Sequence, residues 1–334
     1  MKQEFSNFVN HRNRSYMETF VDNSGYPLTS GIGFHKEGRN LVLTLSKRSL
    51  VSNMQSDAGA FEGWALCLFA NNPGIYEKIF IQWNPIERFD KEGIITDAER
   101  GHYYRFLYRA YKFRENYPSI VELQPAVSSV FDVDEFKDWV LNYPNGESHE
   151  SQKSNKNAEA HLERELLEIM QGAFDYCDHQ LPAGLFFKDV SKKTARCSGG
   201  LGQIDLWSVL NGSLNIYELK NDVNLSVGII SELMFYTNVM NDFRMHRFNY
   251  PAEFVRKRKF YRHSKELYDS ISKDEISHVN GILLANNLHP RITDSVINLM
   301  NQNAGSPIWS KGAMFPELRG GNGVYQLKVT YNTK

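Results

Sequence analysis

The tightest constraint on the fold of this chain is Asn211-Gly212, which strand-like runs of apolar residues flank on both sides. Asn-Gly between two such runs is the strongest short-range signal for a β-hairpin with a two-residue turn. Such a turn fixes the register, because it pairs Leu210 with Ser213 and every further pair follows by counting along the strands. The register predicts that Asp205 lies directly opposite Glu218.

Two carboxylates that face each other across a hairpin repel, so Asp205 and Glu218 need a compensating charge. Lys220 is two residues beyond Glu218 and therefore lies on the same face of its strand. A hard divalent cation such as Mg²⁺ also suits paired carboxylates. The alternative is a surface hairpin with an ordinary Glu–Lys pair, but the strands carry many apolar residues for an exposed hairpin, namely Leu206, Trp207, Val209, Leu214, Ile216, Tyr217 and Leu219.

An aspartate, a variable gap and then Glu-x-Lys on the next strand resembles the PD-(D/E)XK nuclease superfamily. Glu218-Leu219-Lys220 supplies the Glu-x-Lys part, whereas Ile204 stands where the family name has proline. The resemblance covers residues 158–334. It implies a restriction-endonuclease-like core, with a central mixed sheet flanked by helices, in the order helix, three strands, helix, strand.

The same resemblance implies a metal-dependent nuclease, and we expect an endonuclease that acts on DNA rather than RNA. Asp205 and Glu218 would bind Mg²⁺ (Mn²⁺ could substitute), and Leu219 would add its backbone carbonyl. Lys220 would orient or help to deprotonate the attacking water. Restriction, repair and defence all remain open as biological roles. The alternative from another class is a catalytically inactive nucleic-acid-binding or assembly protein on a nuclease-like scaffold.

A helix is predicted over residues 158–173, where apolar residues recur at helical spacing. Glu163 falls inside this apolar stripe, and a buried carboxylate needs a partner. The resemblance implies a glutamate near the metal on the helix before the sheet. Glu163 is therefore the candidate, with Glu165 in reserve. The alternative is that Glu163 sits at the edge of the stripe and reaches water.

Further elements of the C-terminal half follow from apolar runs and helical spacing. In the predicted helix Val227–Phe243, Glu232 and Tyr236 match a polar-then-tyrosine spacing that the superfamily often has, although core packing is the favoured role of Tyr236. The predicted strands are Leu185–Val190, which we expect to be the first strand of the core, His278–Ala285 and Val324–Tyr331.

Basic residues suggest where a phosphate backbone could bind. Lys192, Lys193 and Arg196 precede the glycine-rich segment 198–202, where small residues could let a backbone approach. The glycines could equally serve the strand connection alone. A second basic run contains Arg256, Lys257, Arg258 and Lys259. Aromatic residues interleaved with it could stack on bases. The alternative is that this run is the solvated face of a helix.

The chain is predicted to be a two-domain α/β (α+β) protein, because 334 residues exceed one typical domain. Residues 145–157 contain no apolar side chain and are interpreted as a linker that a protease could cut. Residues 1–144 would form an α+β domain for recognition or sensing, and the basic residues of its long helix would face solvent. Its predicted elements are a hairpin between Gly31 and Leu45, the strand Lys78–Trp83, and the helices Thr96–Tyr117 and Asp132–Asn142.

Composition limits the cellular setting. No apolar run is long enough to span a membrane, and the first residues lack the apolar core of a signal peptide. Cys67, Cys177 and Cys197 are odd in number and lack metal-ligand spacing, which suggests a reducing compartment and excludes a zinc ribbon. We therefore expect a cytoplasmic protein with nucleic acid as its partner and no membrane contact. A homodimer, and a regulatory ligand or partner at the N-terminal half, remain open.

Overall fold

The computed structural model describes residues 27–86, 96–142, 158–191, 193–197, 202–220, 226–248, 263–285, 287–302, 307–319 and 322–330. Within these ranges the strands form three separate sheets. Two of the sheets mix parallel and antiparallel pairs, and helices pack against them. The fold is therefore mixed α and β, which confirms the fold class at this general level.

The first sheet belongs to the N-terminal half and consists, in spatial order, of β1 (Ile32–Glu37), β2 (Asn40–Leu45), β3 (Lys78–Trp83) and β4 (Val121–Gln124). β1 and β2 form an antiparallel hairpin, and β3 and β4 extend the sheet with parallel pairs. Gly38 lies in the hairpin turn with φ +61°, a conformation that residues with a side chain rarely adopt. The predicted hairpin and the strand Lys78–Trp83 are both confirmed.

Three α-helices accompany this sheet: α1 (Lys47–Leu50), α2 (Phe61–Ala70) and α3 (Asp97–Asn116). α3 begins with a capping box. The Thr96 hydroxyl accepts a hydrogen bond from Glu99 N–H, and the Glu99 carboxylate accepts one from Thr96 N–H, so two backbone donors at the helix start are satisfied. The predicted helix Thr96–Tyr117 is confirmed.

The basic face of α3 is largely buried. Arg105, Arg109 and Lys112 are each almost inaccessible to solvent. Arg109 forms an ion pair with Glu62 of α2, and Lys112 Nζ lies 2.8 Å from the carboxylate of Asp242. The expectation of a solvated face is wrong for these residues, because acids from distant segments neutralise two of the three charges and the local sequence does not reveal them.

The segment Asp132–Asn142 is only partly helical. Asp132 caps a 3₁₀ helix, Val133–Asp138, by accepting a hydrogen bond from Asp134 N–H. The chain then forms β5 (Trp139–Leu141), in which every residue is buried. The prediction of one helix is wrong at its C-terminal end, because consecutive buried apolar residues suit a strand that is covered on both faces.

The C-terminal half contains a six-stranded sheet. From one edge to the other its strands are β13 (Asn322–Thr330), β12 (Ile308–Arg319), β11 (His278–Leu284), β10 (Ser213–Leu219), β9 (Gln203–Leu210) and β6 (Tyr176–Pro182). β10, β11 and β12 are parallel, whereas the other neighbouring pairs are antiparallel. The predicted strands His278–Ala285 and Val324–Tyr331 correspond to β11 and β13, and β13 lies at an edge as expected.

Helices cover both faces of this sheet. α4 (Ala158–Met170) packs on one face through Leu166 and Met170. α5 (Gly228–Arg244) packs on the other face, where its apolar residues join the main core. Both helices were predicted, although α4 ends at Met170. The remaining α-helices of the described chain are α6 (Ser264–Ser272) and α7 (Asp294–Met300).

The first strand of the large sheet is β6, and the prediction that assigned this place to Leu185–Val190 is wrong. Leu185–Phe187 forms β7, which pairs with β5 and with β8 (Ala195–Cys197) in a third, antiparallel sheet. Polar residues in the middle of β6 interrupt its apolar pattern. Pairing with β9 makes this segment a strand, and such pairing is not visible in the local sequence.

The two halves of the chain share one hydrophobic core. The same cluster of buried residues contains Trp64 and Tyr108 from the N-terminal half and Ile216 and Phe235 from the C-terminal half. The rings of Tyr108 and Phe235 are in contact, with their centroids 6.0 Å apart. The proposed linker, residues 145–157, lies outside the described residues, so the boundary stays a prediction. The described residues before and after this segment pack against each other as one unit.

Two further properties concern the setting of the protein. In the described parts of the chain, no helix is both long and apolar enough to cross a membrane. Cys67, Cys177 and Cys197 are all buried as free thiols. The cytoplasmic location stays a prediction.

Candidate functional site: carboxylates around Lys220

The turn at Asn211 and Gly212 sets the register of β9 and β10. Both residues have positive φ, 49° and 71°, as a type I′ hairpin turn requires. The pairs run without a shift from Ser213 and Leu210 to Tyr217 and Leu206, which confirms the predicted register over this length. The next position along each strand is Asp205 on β9 and Glu218 on β10.

Asp205 and Glu218 belong to the same face of the sheet. Side chains alternate along a strand, so residues two apart lie on the same face. Trp207 is two residues from Asp205, and Ile216 is two residues from Glu218. Both apolar residues lie in the core on the α5 side. Asp205 Oδ2 also accepts a hydrogen bond from Leu219 N–H at 3.0 Å. The hairpin therefore brings both carboxylates to its open end, beneath α5.

Lys220 lies between two buried glutamates. Its ammonium nitrogen is 2.6 Å from Glu218 Oε1 and 3.4 Å from Glu232 Oε2. Glu218 is 1% exposed and Glu232 is 3% exposed. A buried charge is costly unless it is paired and hydrogen-bonded, and one ammonium group carries too little charge to neutralise both glutamates and the nearby Asp205.

The surplus of acid appears in the pKa values. Burial raises the pKa of Asp205 to about 7, against the opposing effect of Lys220. Burial is the largest cause that raises the pKa of Glu218 well above its ordinary range, and the charges of Asp205 and Glu232 are the next largest. Burial by itself would lower the pKa of Lys220, but the surrounding carboxylates raise it. The cluster therefore needs more positive charge before Asp205 and Glu218 can both ionise at neutral pH.

α5 contributes Glu232 and Tyr236, one helical turn apart. Burial, followed by the charges of Glu232 and Glu218, raises the pKa of Tyr236, so its hydroxyl stays protonated. Glu232 is an ionisable residue in a helix whose residues from Gly228 to Phe243 are all buried. The polar-then-tyrosine spacing was the signal for this pair. Tyr236 packs in the main core, as expected, and the charges of Glu232, Glu218 and Asp205 act on its hydroxyl.

Two residues from the N-terminal half act on the same cluster. Gln55 Nε2 donates a hydrogen bond to Glu232 Oε1. Arg105 of α3 is buried. Burial is the main cause that lowers its pKa to about 10, and the charge of Arg109 adds to the effect. Acidic groups that include Tyr236 and Glu232 oppose this shift. No motif or periodicity marked Gln55 or Arg105, because their place in the site depends on how the two halves pack.

Glu163 is buried on α4, as its position in the apolar stripe predicted. Its Oε1 lies 2.5 Å from Nδ1 of His179 on β6, and its charge contributes to the raised pKa of Asp205. His179 escaped sequence reasoning because β6 was not recognised. The reserve candidate, Glu165, is partly exposed and lies 3.5 Å from His161 on its own helix.

The predicted nucleic-acid contacts are distributed differently. Lys193 is exposed. Arg196 is engaged within the protein, because its Nε is 2.7 Å from Glu135 Oε1 and its guanidinium lies over two aromatic rings. Lys192 and the basic run 256–259 (Arg256, Lys257, Arg258 and Lys259) lie outside the described residues, so their role stays a prediction.

The donor atoms suit a hard cation. Asp205 and Glu218 supply carboxylate oxygens, and the backbone of Leu219 adjoins Asp205. Among the residues that the structure describes, no group of three His, Cys, Asp or Glu side chains is arranged to hold a metal ion. This is compatible with Mg²⁺, which commonly binds proteins through one or two carboxylates and keeps several waters or substrate oxygens.

Comparisons with known proteins identify no relative. No protein-family model matches the sequence, and no curated protein or solved structure matches it. Its function is therefore inferred from the arrangement of side chains in the site.

Proposed function

We propose that this protein is a metal-dependent nuclease that hydrolyses phosphodiester bonds, as an endonuclease acting on DNA. The observation that carries the proposal is the excess of acid around Lys220, whose single ammonium group contacts the buried Glu218 and Glu232 and also lies in the field of Asp205. Strongly perturbed ionisable groups that adjoin one another are concentrated at functional sites. A divalent cation held by Asp205 and Glu218 would relieve their repulsion and attract a phosphate.

The order of elements supports the same proposal. α4, the strands β6, β9 and β10 of the large sheet, α5 and β11 come in the order helix, three strands, helix, strand that the resemblance to the PD-(D/E)XK superfamily implies. β7 and β8, which belong to the third sheet, and α6 are inserted into this order. Asp205 lies near the start of β9 and Glu218 near the end of β10. Antiparallel pairing therefore brings the residues of the resemblance to one place in the fold.

Each group has a role that follows from its chemistry. Asp205, Glu218 and the Leu219 carbonyl would hold Mg²⁺, or Mn²⁺ in its place, and Glu163 would support Asp205 from α4. A bound divalent ion would polarise a phosphoryl oxygen and lower the pKa of a water molecule. Lys220, whose pKa is raised, would stay protonated and offset negative charge on the phosphate. This favours an electrostatic role for Lys220 over that of a base.

The direct test is incubation of the purified protein with plasmid DNA, single-stranded DNA and RNA in Mg²⁺, Mn²⁺ or EDTA. We expect plasmid cleavage in either metal and none in EDTA. Asp205→Asn and Glu218→Gln keep the side-chain size but remove the charge, and each should lower the rate more than about 100-fold. Glu168→Gln is a matched control, because Glu168 is an exposed carboxylate of α4.

The outcomes separate the two functional classes. Full activity of Asp205→Asn would place the chemistry elsewhere in the molecule. Absence of cleavage, together with absence of Mg²⁺ and Mn²⁺ binding in a calorimetric titration, would favour the catalytically inactive nucleic-acid-binding scaffold.

A further inference from the structure

The loop 53–57 of the N-terminal half borders the carboxylate cluster, and we propose that Gln55 is a positioning residue of the nuclease site. Gln55 holds the carboxylate of Glu232 so that this carboxylate stays directed at Lys220. The catalytic part of this inference rests on the proposed function. The contact between Gln55 and Glu232 can be tested without any activity.

The contact joins distant parts of the chain. Gln55 Nε2 donates a hydrogen bond to Glu232 Oε1, although the two residues are 177 positions apart. The other carboxylate oxygen, Oε2, lies 3.4 Å from Lys220 Nζ. Glu232 is thus held at one oxygen by the N-terminal half and faces the lysine with the other, and rotation of its carboxylate would disturb both contacts.

The orientation of the Gln55 amide is set by Asn53. Asn53 Nδ2 donates to Gln55 Oε1 at 3.2 Å. Asn53 Oδ1 in turn accepts from Arg105 Nη2 of α3 at 3.3 Å. Because the amide oxygen of Gln55 already accepts a hydrogen bond, its NH₂ group is the part that faces the carboxylate. The amide is therefore positioned as a donor to Glu232.

Backbone packing holds this loop against the start of α5. A Cβ atom on Gly228 would lie 2.3 Å from the carbonyl oxygen of Gln55, so glycine is required for the approach. Ser226 Oγ donates to the same carbonyl at 3.3 Å and to Asp57 Oδ1 at 2.8 Å. The helix that carries Glu232 and the loop that carries Gln55 therefore pack as one unit.

Gln55 thereby completes the site from the N-terminal half. Partners that orient catalytic or metal-binding side chains are commonly worth about 10- to 100-fold in affinity or activity. The N-terminal half then takes part in the chemistry, in addition to any role in choosing the substrate. A movement of the loop 53–57 would also change the position of Glu232 relative to Lys220.

The kinetic test compares Gln55→Ala with Asn116→Ala in the full-length protein. Asn116 Nδ2 donates to Asn238 Oδ1 at 3.1 Å, so the control also removes a hydrogen bond between the halves, but at a different position on α5. We expect Gln55→Ala to lower kcat about 10- to 100-fold with little change in KM for DNA, and Asn116→Ala to leave kcat unchanged. A raised KM at constant kcat, or equal effects of the two variants, would overturn the proposal.

A denaturant series tests the contact without activity. Gln55→Ala should lower the denaturation midpoint in the wild-type background and lower it less in a Glu232→Leu background, where the amide has lost its acceptor. The double exchange Gln55→Glu with Glu232→Gln keeps one donor and one acceptor and should restore most of the midpoint. Equal shifts in both backgrounds would contradict the pairing. If the wild-type protein cleaves no substrate, the proposed function fails, and this series still decides the contact.

Discussion

At the scale of single residues, Lys220 balances acids that it cannot neutralise alone. It contacts Glu218 and Glu232 directly, and Asp205 adds to the negative charge that raises its pKa. In such a cluster some carboxyl groups keep a proton near neutral pH, because the charged forms repel and are poorly solvated. Added positive charge would release those protons, so cation binding and protonation are linked.

Stability without metal should fall as pH rises across the titration of Asp205. The pKa of Asp205 is about 7 in the folded protein, against an ordinary value of 3.8, so between these values the folded state holds a proton that the unfolded chain has released. The free energy of unfolding then decreases with rising pH, by about 2.5 kcal/mol between pH 5 and pH 7.5. Urea denaturation in EDTA at about pH 5 and about pH 7.5 measures this difference.

The variant Asp205→Asn lacks the titrating group and should lose less stability over the same interval. Asp134→Asn serves as the control, because Asp134 has a 73% exposed side chain. A pH dependence in Asp205→Asn as steep as in the wild type would show that Asp205 does not carry the effect.

Lys220→Ala should lower the cleavage rate far more than the affinity for Mg²⁺. The ammonium faces the carboxylates and would face the phosphate, so its loss removes charge stabilisation from the transition state, by about 100-fold or more in kcat. Calorimetric titration of Mg²⁺ and steady-state kinetics measure the two effects separately. Lys273→Ala, at an exposed lysine that has no proposed role in the site, is the control. A parallel loss of affinity and rate would indicate that Lys220 organises the metal ligands instead.

At the scale of elements, the site is made where the β9–β10 hairpin meets α5. The hairpin supplies Asp205, Glu218 and Lys220, and the helix covers them with Glu232 and Tyr236. The tight turn sets which residues are opposite each other, because an insertion of one residue would move every side chain to the other face. The geometry of the turn therefore determines the geometry of the site.

Gly212→Ala should destabilise the protein more than Gly172→Ala. Both glycines have positive φ, +71° and +89°, so alanine strains the backbone at either position. A Cβ at Gly212 would also lie 2.8 Å from the carbonyl oxygen of Glu275, whereas nothing lies within 4 Å of one at Gly172. Overpacking of this kind adds about 1–3 kcal/mol. Urea denaturation of both variants measures the difference, and equal losses would mean that the Glu275 backbone moves aside.

At the scale of the whole molecule, the site is enclosed by both halves of the chain. The main core contains residues of both, and β5 pairs with β7 from the other side of the proposed boundary. Buried polar contacts add to this interface, such as the bond from the Tyr108 hydroxyl to the Asp242 carboxylate at 2.8 Å. The halves therefore stabilise each other, in contrast to domains that a linker merely tethers.

Cleavage of the chain between the halves should leave them associated. A specific protease site introduced within residues 145–157 would allow the cut, and size-exclusion chromatography under native conditions would then show one peak that contains both fragments. The physical reason is the apolar surface that separation would expose to water. The same sample in urea, where the fragments should separate, is the control. Two native peaks of folded fragments would instead establish two independent domains.

The sequence by itself determined the features that depend on near neighbours. The Asn211-Gly212 turn, the register that follows from it and the capped helix Thr96–Tyr117 could be predicted, because turn chemistry, strand alternation and helix capping act over a few residues. Burial of Glu163 followed from helical periodicity in the same way.

The tertiary structure decided what depends on contacts between distant segments. β6 becomes a strand through its pairing with β9, and Arg109 is buried because Glu62 of another helix neutralises it. Gln55 reaches Glu232 across 177 positions, a separation over which no periodicity or motif carries information. Such contacts form because burial of one shared core offsets the entropy of ordering the chain, and the half of the protein without a recognisable motif thereby supplies part of the site.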